Sequence, residues 1–278
     1  MEKDLISAMD AFFKDARISL YGAISIDCCP VIRPDLLDRT VPGAKTVLLY
    51  AVPYFTGDTK DRNVSLYAVS KDYHLFLKDL GLRLISLLSS THPDGRFAAF
   101  VDHSPIDERI SAAKAGLGVI GDNSLLITKD YGSFVFIGEV LADLPPEALG
   151  AKQPSDIRGC LHCGACLKAC PAKGNPCASG ISQKKGELTE NEQEMVLKTG
   201  LVWGCDNCQT VCPLNKNIQK TPIPFFYKDR IEHLDKEILE TLHGKEFKSY
   251  AFSWRGKQPL LRNIALFEEK NIAQENKT

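Results

Sequence analysis

Two separated runs of cysteine carry the chemistry most plainly written in this chain. Cys160, Cys163, Cys166 and Cys170 follow a C-x2-C-x2-C-x3-C spacing closed by Pro171, and Cys205, Cys208 and Cys212 repeat its end, closed by Pro213. Three thiolates two residues apart on a tight loop can wrap three irons of one cubane, and a fourth, one helical turn further on, points toward a neighbouring cubane. Extended backward from Cys205, the rhythm would place a ligand at position 202, where the residue is Val202, and Cys177 is the nearby cysteine left to replace it. One [4Fe–4S] cluster is therefore assigned to Cys160, Cys163, Cys166 and Cys212, and a second to Cys205, Cys208, Cys177 and Cys170. Four-cysteine zinc sites also use C-x2-C pairs, but they do not need the x3-Cys-Pro ending twice. Disulfides belong to oxidising compartments, and nothing in the chain points to one.

The elements that must position these thiols are read from hydrophobic periodicity. Leu5, Met9, Phe12 and Phe13 set an amphipathic helix over about 3–16, followed by a short apolar strand, Tyr21–Asp27. The adjacent Cys28 and Cys29 fit no cluster spacing; they read as small buried hydrophobes or as a thiol facing a cofactor. Thr46–Tyr54 is apolar on both faces, as a fully buried strand would be. The polar stretch Thr56–Val64 reads as a loop able to close over a pocket. A long helix is expected over Ser70–Ser90, with Tyr73, Leu77, Leu80, Leu84 and Leu87 on one stripe, weakened at Gly81. Arg96–Asp102 reads as a strand ending on a carboxylate, Ile106–Lys114 as a helix, and Ser124–Thr128 and Ser133–Leu141 as strands.

Strands alternating with helices make residues 1–150 an α/β domain with one main sheet. Leu144–Ser155, with three prolines, reads as a linker to a cluster domain over 151–217. A tail over 218–278 should form a helix near Lys228–Leu242 and another presenting Leu260, Leu261, Ile264 and Phe267, packing on the body. AGLGVIGDN (Ala115–Asn123) has neither the G-x-G-x-x-G spacing before a long helix nor a Walker A. Its glycines serve close approach to a flat ligand or positive φ.

With 278 residues and a net charge of -1, the chain can hold a medium domain and a smaller one. That charge argues against a strongly salt-dependent grip on nucleic acid, while local contacts to a polyanion stay open. No apolar run spans a bilayer, and the N-terminus lacks a signal-peptide core. Ten cysteines without export signals indicate metal ligation in a reducing compartment, so a cytoplasmic location is expected.

The motifs resemble those of the epoxyqueuosine reductase family: SLYAVSKDYH (Ser65–His74), VDHSPIDER (Val101–Arg109), AGLGVIGDN, the eight cluster cysteines with WGCDNCQTVCPLN (Trp203–Asn215), and RGKQPLLRN (Arg255–Asn263). The resemblance covers nearly the whole chain. It implies a nitroreductase-like α/β domain that binds cobalamin, joined to a ferredoxin-like module with two [4Fe–4S] clusters. It further implies reduction of an epoxide, epoxyqueuosine in tRNA, with electrons from a flavodoxin or ferredoxin. Two departures stand out. Asp122 occupies a place where the family carries a basic residue, and the family's C-terminal helical-repeat region, which helps to hold tRNA, does not follow RGKQPLLRN.

Within that resemblance Asp102 is the expected general acid. Burial against an apolar macrocycle would keep its carboxyl protonated near neutrality. Asp102 or Ser104 can instead cap the helix starting near Ile106. Arg109 either reaches the corrin's amide groups or pairs with a carboxylate. Tyr73, Gly118, Gly121 and Asn123 are further expected cofactor contacts, whereas His74 is given no axial role on cobalt, and His162 tunes a cluster through its dipole. Two other functions fit the residues: a two-cluster electron-transfer protein without catalysis, and a corrinoid reductase acting on a small molecule.

Overall fold

Every residue from Thr46 to Pro53 is buried, which requires a strand covered on both faces. The computed structural model, which describes residues 2–57, 61–173 and 176–275, supplies that cover. The chain divides into two units: Met1–Tyr54, His74–His162 and Lys216–Ile223 form the first, and Phe55–Tyr73, Cys163–Asn215 and Pro224–Thr278 the second. The boundaries expected at 150/151 and 217/218 fall elsewhere, because packing gathers segments that are distant along the chain.

The first unit holds strands β1 (Leu20–Ser25), β2 (Thr46–Pro53), β3 (Phe97–Phe100), β4 (Val119–Ile120), β5 (Leu126–Ile127) and β6 (Val135–Ala142). Its helices are α1 (Glu2–Asp15), α2 (Pro34–Thr40), α3 (Tyr73–Thr91, all but Tyr73 in this unit) and α4 (Glu108–Lys114). The main sheet runs β1-β2-β6-β3 with every neighbouring pair antiparallel, and β4 pairs with β5 in a separate ribbon. Alternation along β2 sends Val47, Leu49 and Ala51 to one face, into a core with Ile106, Ala112 and Ala113 around α4. Tyr50 faces the other way, its ring 5.6 Å from that of Phe13 on α1. On the same side α3 approaches closely: a Cβ on Gly81 would lie 2.8 Å from the Ala99 Cβ. The glycine that weakens this helix locally is what lets it sit against β3.

Several expectations change. Leu144–Ser155 is no loose linker, for Ala148 and Leu149 are buried in a 3-10 turn. The strand expected to end on Asp102 stops at Phe100. Of the Thr56–Val64 loop, positions 58–60 lie outside the described residues.

The second unit is built from short helices: α5 (Ala165–Ala169), α6 (Ala178–Ser182), α7 (Glu190–Thr199), α8 (Asn207–Thr210), α9 (Lys236–Thr241), α10 (Gly244–Lys248) and α11 (Gln258–Glu275). The helix expected over Lys228–Leu242 is confined to α9. Leu260, Ile264 and Phe267 of α11 pack on a core with Trp203, Phe252 and Leu234, whereas Leu261 is exposed. The tail thus docks within the cysteine-bearing unit. On α11, the fully buried Asn263 donates to the carbonyls of Ser182 at 2.8 Å and Val202 at 2.7 Å, tying the two cysteine segments together.

Candidate functional site

Two residues past the end of β3, Asp102 has φ +64, and the His103 N–H donates to the Val101 carbonyl across it at 2.7 Å. An i→i+2 bond around a positive φ is the rare, strained form of the γ-turn, unfavourable for a residue with a Cβ. Strain of this kind persists where the surroundings over-determine it, often at functional sites. The protein by itself leaves the Asp102 side chain 53% exposed, open to a bound macrocycle or substrate, and its carboxylate Oδ2 lies 3.3 Å from His74 Nε2 near the start of α3. Asp102 is not the N-cap of α4. Asp107 is, its Oδ1 accepting the backbone N–H groups of Arg109 at 3.1 Å and Ile110 at 3.2 Å.

The buried acids lie behind this turn. Glu139, fully buried on β6, accepts a 2.5 Å hydrogen bond from the Ser104 hydroxyl, which in turn accepts the Ile106 N–H at 3.0 Å. Its second oxygen, Oε2, has no partner among the described residues. Burial pushes the Glu139 carboxyl up to about 8, with the Glu108 charge adding to the rise and Ser104 opposing it. Half-buried Glu108 is pushed up to about 7, first by desolvation and then by the Asp102 charge, while Arg109 and the backbone N–H of Asp102 pull the other way. Glu108 lies inside VDHSPIDER without a role expected of it there, and Glu139 lies outside the motifs. For Glu139 a signal is nonetheless present, since it is the sole charge in the apolar strand VFIGEVLA.

The other expected contacts divide. Arg109 is exposed and held by the Ser124 carbonyl at 2.9 Å and the Asp107 carboxylate at 3.3 Å. The backbone at Gly118 and Gly121 is crowded by its own chain: added Cβ atoms would stand 2.4 Å from the Ile127 carbonyl oxygen and 2.5 Å from Asn123 Oδ1. These glycines close the β4–β5 ribbon, and in this loop positive φ occurs at Gly116 instead. Asn123 has a buried Nδ2 without a partner among the described residues. Asp122 accepts from His162 Nδ1 at 2.8 Å, so the departure from a basic residue is a paired carboxylate. Tyr73 packs against the second unit's core. Cys28 and Cys29 pack in the core under β2, and burial pushes Cys29 up to about 11.

Within the second unit, α5 carries Cys166 and packs against α8, which carries Cys208. Cys205 is close enough to Cys177 and Cys170 for their charges to act on it, and Cys170 and Cys205 border one apolar core. Buried Asp206, between the ligand positions, accepts from Ser65 Oγ at 2.5 Å and the Leu66 N–H at 2.9 Å, and pairs with Arg62 at 2.7 Å. Val202, where the cysteine rhythm breaks, is core. In the first unit, donor atoms of Cys160, Asp122 and His162 lie within 4.8 Å of one another. Among the described residues no helix is long and apolar enough to cross a membrane.

Comparison with known proteins agrees with this arrangement. The family model described as "Epoxyqueuosine reductase QueG, DUF1730" matches residues 36–103. The epoxyqueuosine reductase of Leadbetterella byssophila is 33% identical over 83% of this chain and 80% of its own length. That of Bacillus anthracis is 30% identical over 84% and 67%. A crystal structure of epoxyqueuosine reductase with an epoxyqueuosine-modified tRNA-Tyr stem loop superposes with a TM-score of 0.76 and 25% identity, covering 96% of this chain and 81% of that one. Identity of 30–33% over more than four-fifths of this chain, with the fold in common, makes this chain a member of the epoxyqueuosine reductase family of oxidoreductases.

Proposed function

We propose that this protein removes the epoxide oxygen of epoxyqueuosine in tRNA as water, using electrons delivered through two [4Fe–4S] clusters to a corrinoid. The observation that carries the reading is Asp102, set at the centre of a strained turn, exposed enough to meet a substrate and held by His74. Conversion of an epoxide to an alkene consumes two electrons and two protons and releases one water. Asp102 delivers a proton to the epoxide oxygen, which turns a poor leaving group into a good one. His74 fixes the direction of that carboxyl.

The cluster ligands are Cys160, Cys163, Cys166 and Cys212 for one cluster and Cys205, Cys208, Cys177 and Cys170 for the other. Cys205 lies close enough to Cys177 and Cys170 to feel their charge, as a ligand of the same cubane would. For the corrinoid, the buried, unpartnered amide nitrogen of Asn123 and the exposed guanidinium of Arg109 are donors suited to a macrocycle rimmed with carboxamides. Such a group, when bound, supplies a strongly reducing, nucleophilic metal centre. Electrons come from a flavodoxin or ferredoxin in the cytoplasm, where thiolate ligands stay reduced. A tRNA stem loop is the substrate form supported by the similar structure, and the Asp122–His162 pair lessens the repulsion that a bare carboxylate would offer its phosphates.

Anaerobic preparation and reconstitution test this. About eight irons and eight sulfides per chain are expected, with one cobalt and turnover of an epoxyqueuosine stem loop. Zinc in place of iron, or failure to bind any corrinoid, overturns it.

A further inference from the structure

Epoxide removal consumes two protons, whereas the Asp102 carboxyl holds one. If the functional reading just given holds, the second proton must be kept elsewhere. Glu139 and Glu108 are the two acids behind the Asp102 turn. Glu139 is sealed from solvent, spends one oxygen on Ser104 and leaves the other without a partner among the described residues. An ionised carboxylate there would have to lose its hydration with a single hydroxyl in return, so the protonated form is favoured. Glu108 lies against the backbone N–H and the charge of Asp102, and its own charge reaches Glu139.

We propose that Glu139 and Glu108 form a buried proton reserve that restores the proton of Asp102 within each turnover. Neither glutamate meets the substrate; both are positioning residues that act through Asp102. Glu108 re-supplies the aspartate once it has given up its proton, Glu139 passes its own proton on to Glu108, and solvent returns the proton through half-buried Glu108 before the next turnover. The O–H bond broken on Glu108 is matched by the O–H bond formed on Asp102, and no redox partner enters this step.

Other groups face the pair. Cys29, after β1, and Tyr50 of β2 both feel the Glu139 charge, and both are themselves raised by burial. Lys114 at the end of α4 acts on Cys29. Asp107 and Arg109 act on Glu108 with opposite signs, and His74 faces Asp102. Arg109 is exposed and already shared with Asp107, and Arg33 donates to the Ser104 carbonyl, so neither cation fixes Glu108 in the ionised form.

The test uses Glu139→Gln, which keeps the shape and can still accept from Ser104, with Glu108→Gln beside it. Infrared titration of the purified protein should show protonated carboxyl bands that disappear with midpoints near 7 and 8 in the wild type. Glu139→Gln should remove the upper one, and Glu108→Gln should remove the lower one and move the upper one downward. In turnover it should lower kcat about tenfold above neutrality with KM unchanged, a loss of the size general acid–base contributions allow, and erase the alkaline limb of the pH profile. Wild-type infrared bands in Glu139→Gln, or an unchanged pH profile in both variants, would overturn the reserve. Should the wild type itself fail to act on the epoxide, the functional reading falls, while the infrared titration still decides whether these acids hold protons.

Discussion

His74 Nε2 stands 3.3 Å from Asp102 Oδ2, joining the start of a 19-residue helix to a strained turn just beyond β3. The helix is anchored by Leu77, Leu80, Leu84 and Leu88, all fully buried, so the imidazole is a fixed reference against which an otherwise exposed carboxyl is aimed.

Asp102→Asn should leave substrate binding intact and lower turnover by about 10²–10⁴-fold, the usual range for loss of a positioned acid. Single-turnover product formation on an epoxyqueuosine stem loop, measured beside the binding constant, checks this. His74→Gln should cost less, about five- to tenfold, because one hydrogen bond of about 1 kcal/mol is at stake.

Glu139 and Glu108 make stability fall as pH rises. Each has a folded pKa above the ordinary 4.5, at about 8 and about 7 respectively. The folded state therefore holds their protons more tightly than the unfolded chain. The stability this contributes is complete below pH 4.5 and is lost as pH climbs to about 8. Glu139→Gln should flatten that slope and stabilise the protein at the alkaline end, by an amount on the order of 5 kcal/mol. Denaturant unfolding of both proteins across this window reads the difference directly.

Cys177→Ala should halve the iron, from about eight to about four atoms per chain, since it removes one ligand of a single cubane. Cys28→Ala and Cys29→Ala should leave iron unchanged, because those thiols pack in the first unit's core. Iron and sulfide analysis of anaerobic preparations separates the two outcomes.

Asp206→Ala should destabilise the protein by about 3–5 kcal/mol, because it takes the carboxylate partner from the largely buried Arg62 side chain and the acceptor from Ser65 Oγ and the Leu66 N–H. Iron retention should fall with it, since the aspartate anchors the segment between Cys205 and Cys208. Thermal unfolding and iron release measured on the same samples check the coupling.

Spacing alone makes the cysteine frame legible, because within each run two or three residues separate successive thiols and the rhythm is local. The buried β2 and the long α3 are equally plain, since a run apolar on both faces suits a covered strand and a leucine stripe suits a helix docked along one side. The role of Glu139 is not legible in the same way. A lone glutamate in an apolar strand marks an anomaly, but its partner Ser104 is 35 residues away and meets it only when β6 pairs with β3. Asp102 is legible as a residue and not as an environment. The sequence names a carboxylate after an apolar run, whereas exposure, positive φ and the approach of His74 are set by how β3 ends and where α3 packs. Local pattern determined which elements exist and which thiols stand at ligand spacing. Which acid is buried and which faces outward was decided by the tertiary structure, because desolvation depends on neighbours that the chain brings together only on folding.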